Sequence, residues 1–276
     1  MMSRRERRRK NRKIRNDIFF AVLAIVSVFT LVYAGYHLIG YYSEYRKESA
    51  QKEELLQLRE EILQADGQAD VTDKVGEEGN AEPVHEQEQI RDFYQKMKKL
   101  NEDYVCWLTV KGTGIDYPVL QRDNSYYLNH NIENELNRHG SVFLDENCEL
   151  KDDVLLLHGH HMKDGTMFGE LKKFKENAFC EENREIVLEL ATGRVEYQIF
   201  AVAQVDLTAE GSFVFEVLPA TEEEKVLYIE GLDRASFWFD ETVIADGVEK
   251  EAFVLLSTCD YGTDDERLLV AAKKIE

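Results

Sequence analysis

None of the four cysteines, Cys106, Cys148, Cys180 and Cys259, stands in a CxxC pair, so zinc-knuckle and thioredoxin-type motifs find no support. No HExxH motif occurs, and no histidine lies beyond His161. A metalloprotease reading therefore lacks its ligand spacing. No internal repeat is evident. Residues 18–42, IFFAVLAIVSVFTLVYAGYHLIGYY, contain no Asp, Glu, Lys or Arg. At about 1.5 Å per residue, roughly 20 helical residues cross a bilayer core, so this run is long enough. Tyr33, Tyr36, Tyr41 and Tyr42 gather toward its far end, where an interfacial belt is expected. No small-x-small cleavage site follows, and the run is longer than a usual signal-peptide core, so it reads as an anchor.

Charge is scarce in one sign only. The formal net charge is −20, yet residues 1–16, MMSRRERRRKNRKIRN, hold nine Arg or Lys and one Glu. The rest of the chain carries 25 basic and 53 acidic side chains. An acidic body of that kind repels nucleic acid and anionic lipid, so no nucleic-acid partner is expected. The basic head predicts a cytosolic N-terminus, a single pass through the cell membrane, and an extracellular C-terminal body.

Four segments follow: a basic head (1–16), a transmembrane helix (17–42), a helical stalk with a flexible acidic linker (43–85), and a catalytic domain (86–276). Leu55, Leu58 and Ile62 give the stalk a helical spacing. Residues 65–84 are acidic, contain glycine and have almost no large apolar side chains, the composition of a tether. Ile90, Phe93 and Met97 predict a helix at the start of the domain.

Beyond it the period changes. VCWLTV, GIDYPVL, GSVFLDE, DVLLLH, EIVLEL, VEYQIFAVAQV, AFVLLST and RLLVAAKKI are short β-rich runs bounded by Gly, Asn and Asp. The expected fold is mainly β, a barrel of about eight strands with peripheral helices. One helix is expected over TMFGELKKFKE (166–176). Another is expected over 221–239, with Val226, Ile229 and Leu232 on one side and Thr221 and Glu224 forming a capping box.

Three histidines, His158, His160 and His161, fall in LLLHGHHMKDG. The pair His158 and His160 has the spacing of a zinc chelate, but no further histidine follows to complete it, so no metal is expected. The alternative lies in the C-terminal AFVLLSTCDYGTDDERLLVAAKKI. If 252–258 and 267–275 form a hairpin, Cys259 ends one strand and Arg267 begins the next. A guanidinium beside a thiol lowers its pKa and donates to an oxyanion. His160, just past the end of DVLLLH, is a candidate proton-handling imidazole. Cys106, Cys148 and Cys180 have no such company and read as ordinary reduced positions, and the carboxylates of DYGTDDE as a solvated loop.

GHHMKDGTMFGELKKF, LLSTCDY and the downstream Arg267 together resemble the sortases, specifically those of class B. WLTVKGTGIDYPVLQRDNSYYLNHN is similar to the opening strands and turn of that class, and the helix at 221–239 to its extra helix. The resemblance spans about residues 86–276. It implies a sortase β-barrel, no cofactor and a cysteine transpeptidase with His160, Cys259 and Arg267 as catalytic residues and Ser257 and Thr258 lining the substrate groove. The implied partners are a C-terminal sorting-signal peptide of a surface protein and an amine of a peptidoglycan precursor, at a Gram-positive type of cell membrane. A pilin-polymerising sortase and an extracellular cysteine protease that mainly hydrolyses are the alternatives. Many relatives carry Tyr where this chain has His158. For His158 and His161 a structural or rim role is expected.

Overall fold

The computed structural model describes residues 4–64, 81–244, 251–259 and 265–275, with residues 4–15, 64, 81–85 and 259 described by their backbone alone. Residues 65–80 of the expected tether and 260–264 of the DYGTDDE loop lie outside the described residues. The chain divides into two units, Met1–Glu53 and Glu54–Glu276. One helix, α1 (Arg4–Gln64), begins in the first and ends in the second.

In the first unit the large apolar side chains of α1 between Ile18 and Ile39 are exposed. Leu31, Tyr36 and Ile39 are each more than 70% exposed. A helix this long and apolar is able to cross a membrane, and the hydrocarbon core is the environment in which such a surface is at no cost.

The second unit starts with the last turns of α1. Leu55 and Ile62 are buried there in a cluster with Phe93, Met97 and Trp107. Helix α2 (Ala81–Leu100) supplies Ile90, Phe93 and Met97, the expected apolar stripe, all buried. Between Leu55 and Ile62, Arg59 donates from Nε to Glu189 at 3.0 Å and from Nη2 to the other oxygen of the same carboxylate. Its guanidinium also lies over the Trp107 ring, 5.4 Å from the centroid. The segment read as a stalk thus packs, in its last turns, as part of the folded unit.

The strands are β1 (Tyr104–Val110), β2 (Asp116–Leu120), β3 (Val142–Leu144), β4 (Val154–His158), β5 (Glu185–Leu190), β6 (Gly193–Asp206), β7 (Ser236–Phe239), β8 (Phe253–Cys259) and β9 (Glu266–Lys274). Eight close on themselves in the order β5-β1-β2-β3-β4-β8-β9-β6, because β6 pairs with both β9 and β5. The ninth, β7, extends the sheet from β6. The expectation of a mainly β barrel of about eight strands is met. Closure leaves those eight without a free edge. Two pairings are parallel, β2 with β3 and β4 with β8. Val154, Leu155, Leu156 and Leu157 are all buried, as a continuous apolar run predicts for a strand covered on both faces.

Two helical expectations change. Over 166–176 the chain forms a 3₁₀ helix at Gly169–Lys175, followed by α3 (Asn177–Glu182). A Cβ on Gly169 would lie 2.3 Å from the Met162 carbonyl oxygen, so the entry to this turn is tight. Helix α4 (Glu222–Ala235) has the expected Thr221–Glu224 capping box but ends four residues early. Ser236–Phe239 is strand because its β-forming aromatics gain a ladder on β6 and a Phe239–Phe200 ring contact. The buried stripe of α4 is Lys225, Tyr228, Ile229 and Leu232, and Val226 faces outward. Lys225 takes the leading position because its buried ammonium donates to Asp153 at 2.8 Å, which removes the usual objection to burying lysine.

Arg59→Ala leaves the buried Glu189 carboxylate without its fork. Urea unfolding of the full chain in detergent, followed by tryptophan fluorescence, is expected to show a loss of about 1–3 kcal/mol. An unchanged midpoint would show that the last turns of α1 add nothing to the folded unit.

Candidate active site

Parallel neighbours run the same way and end at the same rim of a barrel. β4 and β8 are such neighbours, with Leu157 level with Leu256 and His158 level with Ser257. Gly159 continues the ladder by donating its N–H to the Ser257 carbonyl at 3.2 Å. Two residues beyond the last paired rung stand His160 on one chain segment and Cys259 on the other. β9 runs back from the same rim, and its register places Arg267 opposite Cys259. The hairpin expected from sequence is present, and the backbone brings all three positions to one edge although about a hundred residues separate the first two.

At that edge lies a cleft of about 360 Å³. His160, Arg267, Ser257, Thr258 and His158 all line it. Phe143, Asp145, Asn124, Asn147, Leu128, Gly159 and Glu216 complete the wall. Thr258 is 2% exposed, and its hydroxyl makes no hydrogen bond among the described residues. Burying an unsatisfied hydroxyl costs on the order of 1–3 kcal/mol.

The His160 ring is held by backbone. Its Nε2 is 2.6 Å from the Leu128 carbonyl oxygen. A carbonyl only accepts, so Nε2 carries the proton and donates, and Nδ1 is the remaining ring nitrogen. Leu128 closes the 3₁₀ turn Tyr126–Leu128. That turn is seated against Gly140, whose φ is +60° and where a Cβ would come within 2.5 Å of the Tyr127 oxygen and 2.8 Å of the Leu128 oxygen. Glycine is therefore required there twice over, by torsion and by space. On the other side the His160 carbonyl accepts from the Phe168 N–H at 3.0 Å. A Cβ on Gly159 would lie 2.8 Å from carbons of the Phe168 ring. A side chain at position 159 would crowd that ring.

His158 faces elsewhere. Its Nε2 is 2.9 Å from Asp145 Oδ2, and its ring packs on Phe143 at 5.2 Å. Asp145 is 3% exposed and accepts four hydrogen bonds. Asn124 Nδ2 and His158 share Oδ2, while the backbone N–H and side-chain amide of Asn147 share Oδ1. Burial opposes its charge, but the hydrogen bonds from His158 and Asn147 prevail and hold the carboxyl at about 2. The two imidazoles of the HGH stretch are thus committed to different acceptors. His161 forms an isolated bridge with Met167. Arg267 is half-buried and donates from Nη1 to the Glu266 carbonyl at 3.2 Å.

Sequence reasoning did not find Asp145, Asn124, Glu216 or Leu128. Asp145 was visible only as the end of a strand-like run, and Leu128 acts through its carbonyl, which no side-chain pattern reports. Cys106, Cys148 and Cys180 are free and buried. Burial raises the Cys106 thiol well above the ordinary range and pushes those of Cys148 and Cys180 up to about 11. Such thiols carry almost no thiolate at neutral pH.

The family model for the sortase domain matches residues 108–275. Sortase B of Listeria monocytogenes is 34% identical over 192 residues, which is 68% of this chain and 76% of that protein. A Staphylococcus aureus sortase B–substrate complex superposes with a TM-score of 0.65 at 25% identity, covering 83% of this chain and 98% of that one. A class B sortase of Streptococcus pyogenes involved in pilus biogenesis gives a TM-score of 0.58 at 33% identity, over 66% of this chain and 97% of that one. With the barrel and its cleft, these matches place the chain in the sortase family, among the class B transpeptidases.

Proposed function

We propose that Cys259, His160 and Arg267 are the catalytic residues of a transpeptidase that acts on the C-terminal sorting signal of secreted surface proteins. The observation that supports this reading is the backbone register: β4 and β8 run parallel to one rim, and Arg267 on β9 pairs with Cys259 on β8, so the Cys259 position comes to the rim where the cleft lined by His160 and Arg267 lies. The Cys259 sulfur, as thiolate, bonds to the carbonyl carbon of the signal peptide. The C–N bond breaks, the amine of the C-terminal piece takes a proton from His160, and a thioester remains. An acceptor amine then attacks that carbonyl carbon, gives a proton to His160, and releases the thiolate. Arg267 donates to the oxyanion of both tetrahedral intermediates and holds the peptide. Ser257 and Thr258 line the substrate groove.

The acceptor in this reading is an amine of a peptidoglycan precursor. The likeness to a class B sortase involved in pilus biogenesis supports a second acceptor, the lysine of a pilin subunit. The helix over 17–42 anchors the enzyme in the cell membrane with the basic head in the cytosol, because lysine and arginine beside a membrane helix favour the cytosolic side. The catalytic unit then works outside the cell, where sorting signals and wall precursors meet.

The full chain in detergent, offered a panel of five-residue peptides with and without an oligoglycine or lysine amine, is expected to give ligated product in preference to hydrolysed acid. Hydrolysis alone, unaffected by amine, would favour a protease. Cys259→Ala abolishes cleavage, and His160→Ala lowers kcat by about 10²–10⁴. Arg267→Lys loses most activity because a point charge does not replace the planar fork. Retention of full activity in His160→Ala with loss in His158→Ala would assign the wrong histidine.

Iodoacetamide at neutral pH is expected to label Cys259 alone in the folded chain, with Cys106, Cys148 and Cys180 reacting only after unfolding. Peptide mapping reads this directly. Equal labelling of any buried cysteine would contradict the assignment of the nucleophile.

A further inference from the structure

His158 lines the cleft two residues from His160, yet the reaction just described does not use it. Its surroundings are built with more care than a rim residue needs. Asp145 stands behind it, buried, ionised and fully occupied by donors: Asn124 and His158 on Oδ2, Asn147 twice on Oδ1. A second tie fixes the carboxylate's own backbone, since the Asp145 N–H donates to the Leu156 carbonyl at 2.8 Å and its carbonyl accepts from Gln121 at 3.0 Å. The ring is braced by Phe143 on one side strand and has Ser257 level with it on the other.

A carboxylate offers lone pairs only. It therefore selects the tautomer of His158 that carries hydrogen on Nε2, and it leaves Nδ1 as the acceptor of a neutral ring. The same logic governs the imidazole of a Ser-His-Asp triad, where the carboxylate holds the ring in one tautomer and one orientation. Here the held ring sits in a cleft wall beside Ser257 and Thr258 and not on the nucleophile.

We propose that His158 is a specificity-determining residue that accepts a hydrogen bond at Nδ1 from an N–H of the bound peptide, and that Asp145 is a positioning residue that fixes the His158 tautomer for that contact. The proposal rests on the sortase reading of the cleft. The ligand group it names is an amide N–H, from the peptide backbone or from a primary amide side chain. The same carboxylate also aligns Asn124 and Asn147, so one buried charge sets three side chains of one cleft wall.

Asp145→Asn is a sharp variant because it keeps the shape. All four groups around Asp145 are donors, so an amide NH₂ faces two donors whichever way it turns. Turned toward His158, it forces the ring to accept at Nε2 and carry its proton on Nδ1, which inverts what the cleft presents. His158→Gln removes the ring and keeps a polar side chain.

The test has two arms on the full chain in detergent. In the first, long-range ¹⁵N–¹H NMR of ¹⁵N-histidine-labelled protein reads the ring tautomer. His158 is expected as the Nε2–H form in the unmodified chain and as the Nδ1–H form in Asp145→Asn. In the second, kcat and KM are measured with a peptide that the unmodified chain cleaves. Both variants are expected to raise KM about five- to tenfold, the loss of one hydrogen bond, with kcat within about twofold. An Nδ1–H ring in the unmodified chain overturns the proposal. So does an unchanged KM in both variants while cleavage persists, which leaves the sortase reading intact. An equal fall in kcat with unchanged KM overturns it too, by making His158 part of the chemistry. Failure of the unmodified chain to cleave any peptide of the panel overturns the substrate reading and this proposal with it.

Discussion

The parallel pairing of β4 with β8 is the constraint on which the rest of the site depends. Two parallel neighbours cannot be joined by a hairpin, so the chain leaves β4 after His158 and returns to β8 only after β5, β6, α4 and β7 have been laid down. The entropic cost of closing so long a connection grows slowly with length, and the burial of two apolar strands offsets it. Val154, Leu155, Leu156 and Leu157 lie level with Phe253, Val254, Leu255 and Leu256, and all eight are buried. A slip of one residue would turn each side chain to the other face, so the core itself sets the register. The rim follows from it: whatever comes two residues after His158 and two after Ser257 must meet at the same edge.

The two imidazoles at this cleft are each held by a group outside the proposed catalytic trio. Leu128 holds His160 through a carbonyl, and Gly140 keeps that carbonyl in place because nothing larger fits beneath the turn. Gly159 lets the strand end pass over Phe168. Asp145 holds His158 away from the same acceptor. Two imidazoles two residues apart in sequence thus have different partners and, in this account, different tasks. The remaining three cysteines are buried in surroundings that suppress their thiolates.

Much of this was legible in the sequence, for physical reasons that differ by element. The strands announced themselves through apolar runs and β-branched residues bounded by turn formers, and the observed bounds of β4 and β8 differ from the expected ones by a residue. The hairpin of β8 and β9 followed from two such runs flanking a short polar loop. What failed was local reading where tertiary contacts decide. Ser236–Phe239 continued a helical pattern but found the edge of β6. Val226 looked like part of an apolar stripe, but the stripe turned one residue earlier because Asp153 made a buried lysine acceptable. Asp145 and Leu128 escaped notice because their roles exist only once β3, β4 and the Tyr126–Leu128 turn are together in space. The acidic tether at 65–80 lies outside what the structure describes.

The central claim is that His160, and not His158, is the proton partner of Cys259. The most direct measurement is the rate of Cys259 alkylation across about pH 4 to 9 in the unmodified chain, His160→Gln and His158→Gln. A thiol coupled to an imidazole titrates in two apparent steps that belong to the pair. The account predicts two steps in the unmodified chain, a single step in His160→Gln, and an essentially unmodified profile in His158→Gln. An unaltered profile in His160→Gln, or a larger change in His158→Gln, would contradict it.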